Sequence, residues 1–330
     1  MTKILVTGGY GFIGTHLLIK LLKETDYKII SIDSETYASQ KENIRLFLKQ
    51  NPQYRRRTTL IRKDISNINT LDKIFQKYKF EGVINVAAES HVDNSITGPA
   101  PFIKSNIVGT YNLLECSRKY DVQRYVQVST DEVYGQLLDI ENEHFNEKTR
   151  LSPSSVYSAS KASADLLVES YVKTFKLNAS ITRCCNNYGP YQHKEKFLPK
   201  TILNALNNHK IPVYGKGENT REWIYVEDHC EAIITVYRKG KAGEVYNIGT
   251  NNFYKNIDLV KFILEKLERK KELIEFVEDR KAHDFIYAIN FNKIKEELDW
   301  QPRVDFNTGI EKTIEWYKEL LKKQSDINNM

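Results

Sequence analysis

The stretch Lys3–Gly14, "KILVTGGYGFIG", decides the fold. Its apolar run reads as a buried strand. Gly8, Gly11 and Gly14 then follow in the pattern G-x-x-G-x-x-G, and an amphipathic segment, "IGTHLLIKLLKE", predicts a helix that starts near Phe12 and Ile13. A strand, a tight glycine turn and a helix in that order bring bare backbone and a helix N-terminus up to an anion, as in the pyrophosphate site of a dinucleotide. Structural glycines in a tight turn would give the same spacing, so the context on both sides carries the reading.

Outward from that loop, Asp33 falls 19 residues beyond Gly14, at the end of the strand-like run "KIISID". A carboxylate there accepts hydrogen bonds from a ribose 2′-hydroxyl and repels a 2′-phosphate. Ser34 follows it, not an arginine, which favours NAD over NADP. Asp64 and Ile65 end the third run, where an adenine edge could be met, although Asp64 could equally cap the following turn. Further strand-length runs, "GVINVAA", "RYVQVST" and "NASITRC", alternate with helical patterns. Strands that are apolar throughout need helices on both faces, so the expected fold is α/β, a doubly wound parallel sheet of the Rossmann type. After about residue 190 the rhythm becomes mixed, with Pro and Gly-rich loops and helical segments around Leu259–Leu267 and Gly309–Leu320. Residues 1–190 are therefore expected to form the NAD-binding domain, joined by a strand-helix unit near 222–250. Residues 191–330 would mainly form a smaller mixed substrate lobe.

Composition limits the remaining classes. The 330 residues carry 41% hydrophobic and 11% aromatic residues, enough for a sizeable core without staples. The four cysteines show no CxxC or Cys/His spacing, and Cys184 and Cys185 are adjacent, so neither a disulfide framework nor a metal site is expected. No apolar stretch approaches the ~20 residues of a membrane span, and the chain enters its first strand directly after Met1, without a signal segment. The net charge of +6 is modest. Its densest basic run, "YRRRTTLIRK", reads as a solvated loop beside a polar segment rather than a nucleic-acid surface. A cytoplasmic protein with no membrane or nucleic-acid partner is expected.

The chemistry is carried by "YSASK" and "VSTDEVYG". Tyr157 and Lys161 lie four apart, on one face of a predicted helix. A phenol ionises near pH 10, and a neighbouring ammonium is expected to pull that value down. Thr130 ends another sheet strand 27 residues earlier. With the glycine loop upstream, this set resembles the extended short-chain dehydrogenase/reductase superfamily. Its Ser/Thr, Tyr and Lys polarise and deprotonate a hydroxyl while NAD takes the geminal hydride. Together with "AAESHVD", "YSASKASAD", "NNYGPYQ", "GKGENTREWIYVEDH", "YNIGTNN" and "DRKAHD", the run Thr130-Asp131-Glu132 is similar to the nucleoside-diphosphate-glucose 4,6-dehydratases along nearly the whole chain.

That resemblance implies a reaction order. Oxidation at C4 makes the C5 proton acidic, and the C6 hydroxyl then becomes a β leaving group. Tyr157, with Thr130 on the same oxygen, would take the 4-OH proton. Glu132 would remove the C5 proton, Asp131 would protonate the departing C6 oxygen, and the hydride would return to C6. General acid and general base need opposite protonation states, which adjacent carboxyls under partial burial can reach. In an ideal strand Asp131 would point away from Thr130 and Glu132, so the assignment requires the strand to end there.

By the same resemblance, Thr36, Val86, Ala87, Ala88, Ser90, Ser105 and Asn187 would join the NAD site. Ser90, Asn186, Lys196, Phe197, Pro212, Val213, Tyr214, Asn256, Arg280 and His283 would line the sugar-nucleotide cleft, and the planar fork of Arg221 suits a diphosphate. Bacterial members usually carry Arg at the position of Asn94, Asp at that of Glu222, and "DRPGHDRRY" where this chain has Lys281, Ala282, Phe285 and Ile286. These departures leave dTDP-glucose and UDP-glucose both open. The relatives pair as homodimers through two helices per subunit, which "GTYNLLECSRKY" and "KASADLLVESYVKTF" could supply. A UDP-sugar 4-epimerase would share the loop and the Tyr-Lys pair without needing two acids. An NAD-sensing or RNA-binding module would predict no turnover at all.

Overall fold

The computed structural model describes residues 1–140, 143–279 and 284–328. Strands β1 (Lys3–Thr7), β2 (Lys28–Asp33), β3 (Thr58–Arg62), β4 (Gly82–Asn85), β5 (Arg124–Thr130) and β6 (Ala179–Cys184) alternate with helices. The chain then forms β7 (Asn186–Tyr188), β8 (Ile211–Tyr214), β9 (Thr220–Tyr225) and β10 (Val245–Ile248). Among the described residues, the large sheet has the order β10-β6-β5-β4-β1-β2-β3, and every neighbouring pair is parallel. The order reverses between β1 and β4, so a crevice opens at the carboxyl ends of those strands.

The apolar strand runs are buried on both faces, as a parallel sheet demands. Along β1, Ile4 and Val6 pack with Leu17, Leu18 and Ile233 on one side, while Leu5 packs with Ile30, Leu71 and Leu113 on the other. Helices Phe12–Glu24 and Val226–Lys239 cover the first face, and Ile68–Tyr78, Gly109–Lys119 and Val156–Phe175 cover the second. Each fully buried aliphatic side chain contributes roughly 1.5–3 kcal/mol. A polar ladder crosses the sheet beneath the crevice. The Thr7 hydroxyl donates to Asn85 Oδ1 at 2.5 Å, the Asn85 amide donates to Gln127 Oε1 at 2.9 Å, and Ala87 N–H donates to Thr7 at 3.1 Å. It fixes the backbone of the β4 loop, where Val86 to Ala88 begin.

The later chain serves both bodies. Helix Val226–Lys239 and β10 return to the large sheet. The run of Ile286, Ala288, Ile289, Ile294, Leu298 and Trp300 also packs on that sheet's first face, a second return absent from the sequence reading. The smaller lobe holds β9 between β7 and β11 (Phe253–Lys255), and β8 beside β12 (Ile274–Val277). Its own core joins Leu198, Ile202, Ile211, Trp223, Leu259, Ile263, Phe306 and Ile310. Helices Asn256–Lys266 and Phe306–Asn328 occupy the two segments expected to be helical there.

Candidate active site

A cleft of about 1560 Å³, its open mouth included, runs along the carboxyl ends of the strands. Gly8, at φ +70°, opens the glycine turn, and a Cβ on it would lie 2.8 Å from Ala87 Cα. A Cβ on Gly14 would lie 2.0 Å from Gly8 O, so this glycine lets the helix press on the loop. Gly11 differs, because a Cβ there would meet only Gly8 O, at 3.4 Å, and would otherwise fill the cradle. Helix Phe12–Glu24 has no side-chain cap and no acid in its first turn. The unpaired N–H groups and the bare backbone fit a pyrophosphate. Gly14→Ala is expected to cost about 1–3 kcal/mol through overpacking. It should also lower the NAD retained on purification, both readable from thermal unfolding and cofactor content.

Asp33 is buried, and its carboxylate is already oriented. Oδ2 accepts from Tyr10 N–H at 2.9 Å, and Oδ1 accepts from Glu35 N–H and the Ser39 hydroxyl at 2.8 Å each. A carboxylate offers about four lone-pair sites, so capacity remains for a ribose diol. Asp64 does cap its turn, with Oδ1 accepting from Ser66 N–H at 2.8 Å, while Lys104 pairs with Oδ2 at 3.0 Å. Burial raises its pKa, but these donors outweigh burial and hold it below the usual range. It still lines the cleft beside Ile65, as do Phe12, Ile13, Ser34, Thr36, Val86, Ala87, Ala88, Ser90, Ser105 and Asn187. These residues fit NAD.

The strand does end where the chemistry needs it to. β5 stops at Thr130, and a tight helical turn, Asp131–Tyr134, begins at once. Thr130 caps that turn, accepting from Glu132 N–H at 3.3 Å and donating to Asp131 Oδ1 at 3.2 Å. Asp131 is 1% exposed, and its Oδ2 makes no hydrogen bond. Burial first, then the Glu132 carboxylate, with Cys184 and Glu222 behind, pushes its pKa well above the carboxylate range. A neutral carboxyl with a spare oxygen can donate a proton, and half-buried Glu132 beside it can accept one.

Helix Val156–Phe175 delivers the pair Tyr157 and Lys161. Ser155 and Ser158 form a reciprocal capping box that fixes its first turn. Both side chains line the cleft. Lys161 Nζ donates to Val128 O at 2.7 Å, and burial pulls its pKa down to about 8 against the opposing charge of Asp165. The expected lowering of the Tyr157 pKa is not what the structure shows. Burial and the Glu132 carboxylate raise it, and the Thr130 hydroxyl, within hydrogen-bonding reach, opposes them only in part. Desolvation penalises a phenolate more than a cation itself held by a carbonyl can recover.

The substrate residues divide. Asn186 and Lys196 line the cleft with Ser90 and Thr130; Asn186 Oδ1 is buried without a partner, and Lys196 Nζ donates to Ser90 O at 3.0 Å. Phe197, Pro212, Val213, Tyr214 and Asn256 lie in the smaller lobe and do not line the cleft, while Arg280 and His283 fall outside the described residues. Arg221 is buried and donates to the carbonyls of Thr220, Phe285 and Asp284, its guanidinium 4.3 Å above the Tyr287 ring. Asp284 in turn accepts from the Ser154 hydroxyl at 2.5 Å, which ties this segment to the lead of the Tyr157 helix. Glu222 lies buried, taking backbone N–H groups of Thr250, Asn251 and Ile289, and burial raises its pKa to about 7.

Sequence reasoning missed several residues of the cleft, among them Ser39, Cys184, Gln192, Glu195 and His229. Ser39 and Glu195 carry no local signal. Cys184, Gln192 and His229 stand inside or beside the quoted "NNYGPYQ" and "YVEDH", where their place at strand ends could have been noticed. Asn94, at the position where relatives usually have Arg, donates to Tyr37, whose hydroxyl donates to Glu195 at 3.2 Å across the cleft mouth.

Comparison with known proteins agrees with this geometry. Residues 5–313 match the family described as GDP-mannose 4,6 dehydratase. A dTDP-glucose 4,6-dehydratase of Salmonella typhimurium is 45% identical over 99% of this chain and 95% of its own. The dTDP-glucose 4,6-dehydratase DesIV of Streptomyces venezuelae, solved with NAD and dTDP bound, superposes with a TM-score of 0.91 at 39% identity, covering 96% of this chain and 97% of its own. A UDP-glucose 4-epimerase of Thermotoga maritima, solved with UDP-glucose, reaches 0.89 at 29% identity over 97% of this chain and all of its own. With dehydratases matching at higher identity than this epimerase, and with both acids beside the Tyr-Lys pair, the chain belongs to the nucleoside-diphosphate-glucose 4,6-dehydratase family of the extended short-chain dehydrogenase/reductase superfamily.

Proposed function

We propose that this protein is an NAD-dependent hydro-lyase that converts dTDP-glucose to its 4-keto-6-deoxy derivative, with the roles of individual residues as follows. NAD, when bound, supplies the two-electron acceptor that makes C4 a ketone and later gives the electrons back. Tyr157 receives the 4-OH proton, and Thr130 holds the same oxygen. Lys161, fixed by the Val128 carbonyl, supplies positive charge beneath them. Glu132 takes the C5 proton, and Asp131 protonates the C6 oxygen as it leaves. Asp33 selects the ribose diol, Asn186 and Lys196 meet the sugar nucleotide, and Arg221 shapes its diphosphate end by anchoring Asp284 and Phe285. Residues 1–190 with the returning segment would form the cofactor side, and the smaller lobe the nucleotide side.

The observation that carries this reading is the buried Asp131 carboxyl with an unbonded oxygen, in the same cleft as Tyr157. A 4-epimerase has no leaving oxygen to protonate, and burying an acid at such cost would serve nothing there. Incubation with dTDP-glucose should give a product lighter by one water, with an alkali-developed 4-keto chromophore. A galactose-configured product of unchanged mass would overturn the proposal. Parallel kinetics with UDP-glucose should give the lower kcat/KM.

We also propose a homodimer. Helices Gly109–Lys119 and Val156–Phe175 pack together and leave Tyr111, Leu166 and Phe175 exposed, with Leu166 at 56%. Such apolar exposure on adjacent helices suits a self-complementary face. Light scattering should report a dimer for the native chain and a monomer for Leu166→Asp; equal masses would refute the assignment. Among the described residues no helix is long and apolar enough to cross a membrane, and the four cysteines are free thiols. The thiols suit a reducing, cytoplasmic setting.

A further inference from the structure

Two cysteines and a histidine on the cleft wall take no part in the proposed chemistry. Cys184 ends β6 opposite Thr130 in the strand register, Cys185 follows it, and His229 comes from helix Val226–Lys239. Asn187 joins them. Its Nδ2 donates to Cys184 Sγ at 3.4 Å and to Cys185 O at 3.1 Å, while its Oδ1 lies 2.8 Å from His229 Nδ1. An amide oxygen only accepts, so the hydrogen in that last contact belongs to Nδ1. The other ring nitrogen, Nε2, is buried and makes no hydrogen bond. One amide therefore clamps an imidazole and a thiol together at the edge of the cleft.

The electrostatics single out one sulfur. Burial opposes ionisation of Cys184, but the Cys185 thiol, His229 and Asn187 outweigh it and hold the Cys184 thiol below the usual range. Cys185, Cys116 and Cys230 are pushed up, burial being the first cause in each. Asp131 from the turn after β5 and Glu222 from β9 are the carboxyls that interact with Cys184, and Cys230 is the further thiol.

We propose that Cys184 is a reactive thiol site for small soft electrophiles, peroxide above all, that enter through the cofactor cleft, with His229 as proton acceptor and Asn187 as clamp. Thiolates, not thiols, are the nucleophiles, and their reactivity is site-selective. With peroxide, a sulfur–oxygen bond forms as the oxygen–oxygen bond breaks. Sulfur loses two electrons to become a sulfenic acid, and the departing hydroxide takes a proton from His229 and leaves as water. With iodoacetamide, a sulfur–carbon bond forms and iodide leaves.

The test is pulse alkylation of the native protein with iodoacetamide across a pH series, with each cysteine read by peptide mass spectrometry. At about pH 6.5, Cys184 should label at least ~10-fold faster than Cys116, Cys185 or Cys230. Prior exposure to hydrogen peroxide should block it and leave a sulfenic acid that dimedone traps. Labelling that starts only in the alkaline range, or that favours another cysteine, would overturn the proposal. In His229→Asn, loss of the labelling at low pH with Cys116 and Cys230 still protected supports it, and unchanged labelling overturns it. If that variant unfolds, exposing Cys116 and Cys230 together, the native pH profile alone decides. All these readouts are independent of dehydratase turnover.

Discussion

Tyr157→Phe is expected to lower kcat by about 10²–10⁴-fold, the usual worth of a positioned acid or base. The ring should keep its edge-on contact with Phe102, 6.4 Å between centroids, so circular dichroism and thermal unfolding should change little. The loss would lie in the proton transfer itself. Because burial and Glu132 raise the phenol's pKa, the deprotonated fraction is small at neutral pH and grows as pH rises. The native oxidation rate should therefore climb with pH through the neutral range, by up to about tenfold per unit while the phenol is the limiting group. The variant should lose that slope. A Tyr157→Phe enzyme with more than about a tenth of native kcat and an unchanged pH profile would remove Tyr157 from its role.

Glu132→Gln should be nearly as costly, about 10²-fold or more in formation of the dehydrated product. The substitution preserves shape and volume but leaves no base for the C5 proton. Two readouts separate this step from oxidation. Incorporation of solvent deuterium at C5 should slow with product formation, while the absorbance of reduced nicotinamide should still appear on mixing with substrate and should persist. Loss of a neighbouring charge should also ease ionisation of both Asp131 and Tyr157, since the Glu132 carboxylate raises both. If deuterium exchange and dehydration both ran at native rates, the base would have to be sought elsewhere.

Much of the site was legible because its signals are local. Gly8, Gly11 and Gly14 lie within seven residues between a strand and a helix, and the contact at Gly14, against Gly8 O, lies inside that turn, whereas the one at Gly8 comes from Val86 and Ala87 on the loop after β4. Asp33 was readable from its distance to the loop and its place at a strand end. The acid pair was readable as a run, although its use depended on β5 stopping at Thr130, which the cap on Glu132 N–H secures. Arg221 shows where such reading stops. Its fork suggested a phosphate clamp, and no local pattern announces that it also donates to the carbonyls of Asp284 and Phe285, more than sixty positions away. Likewise, nothing in the run from Ile286 to Trp300 announces that it packs back on the large sheet.

The sequence alone determined the period of each element, the glycine turn, the preference for a ribose diol and the order of acids after the fifth strand. Each of these rests on backbone sterics and side-chain spacing over a few residues. Only the tertiary structure decided which groups lose water. It raised the phenol of Tyr157 instead of lowering it, raised the pKa of the Asp131 carboxyl, and set His229 beside Cys184 through Asn187. Desolvation is the sum over every segment that closes on a group, and those segments arrive from positions tens to hundreds of residues apart, beyond what any local pattern can encode.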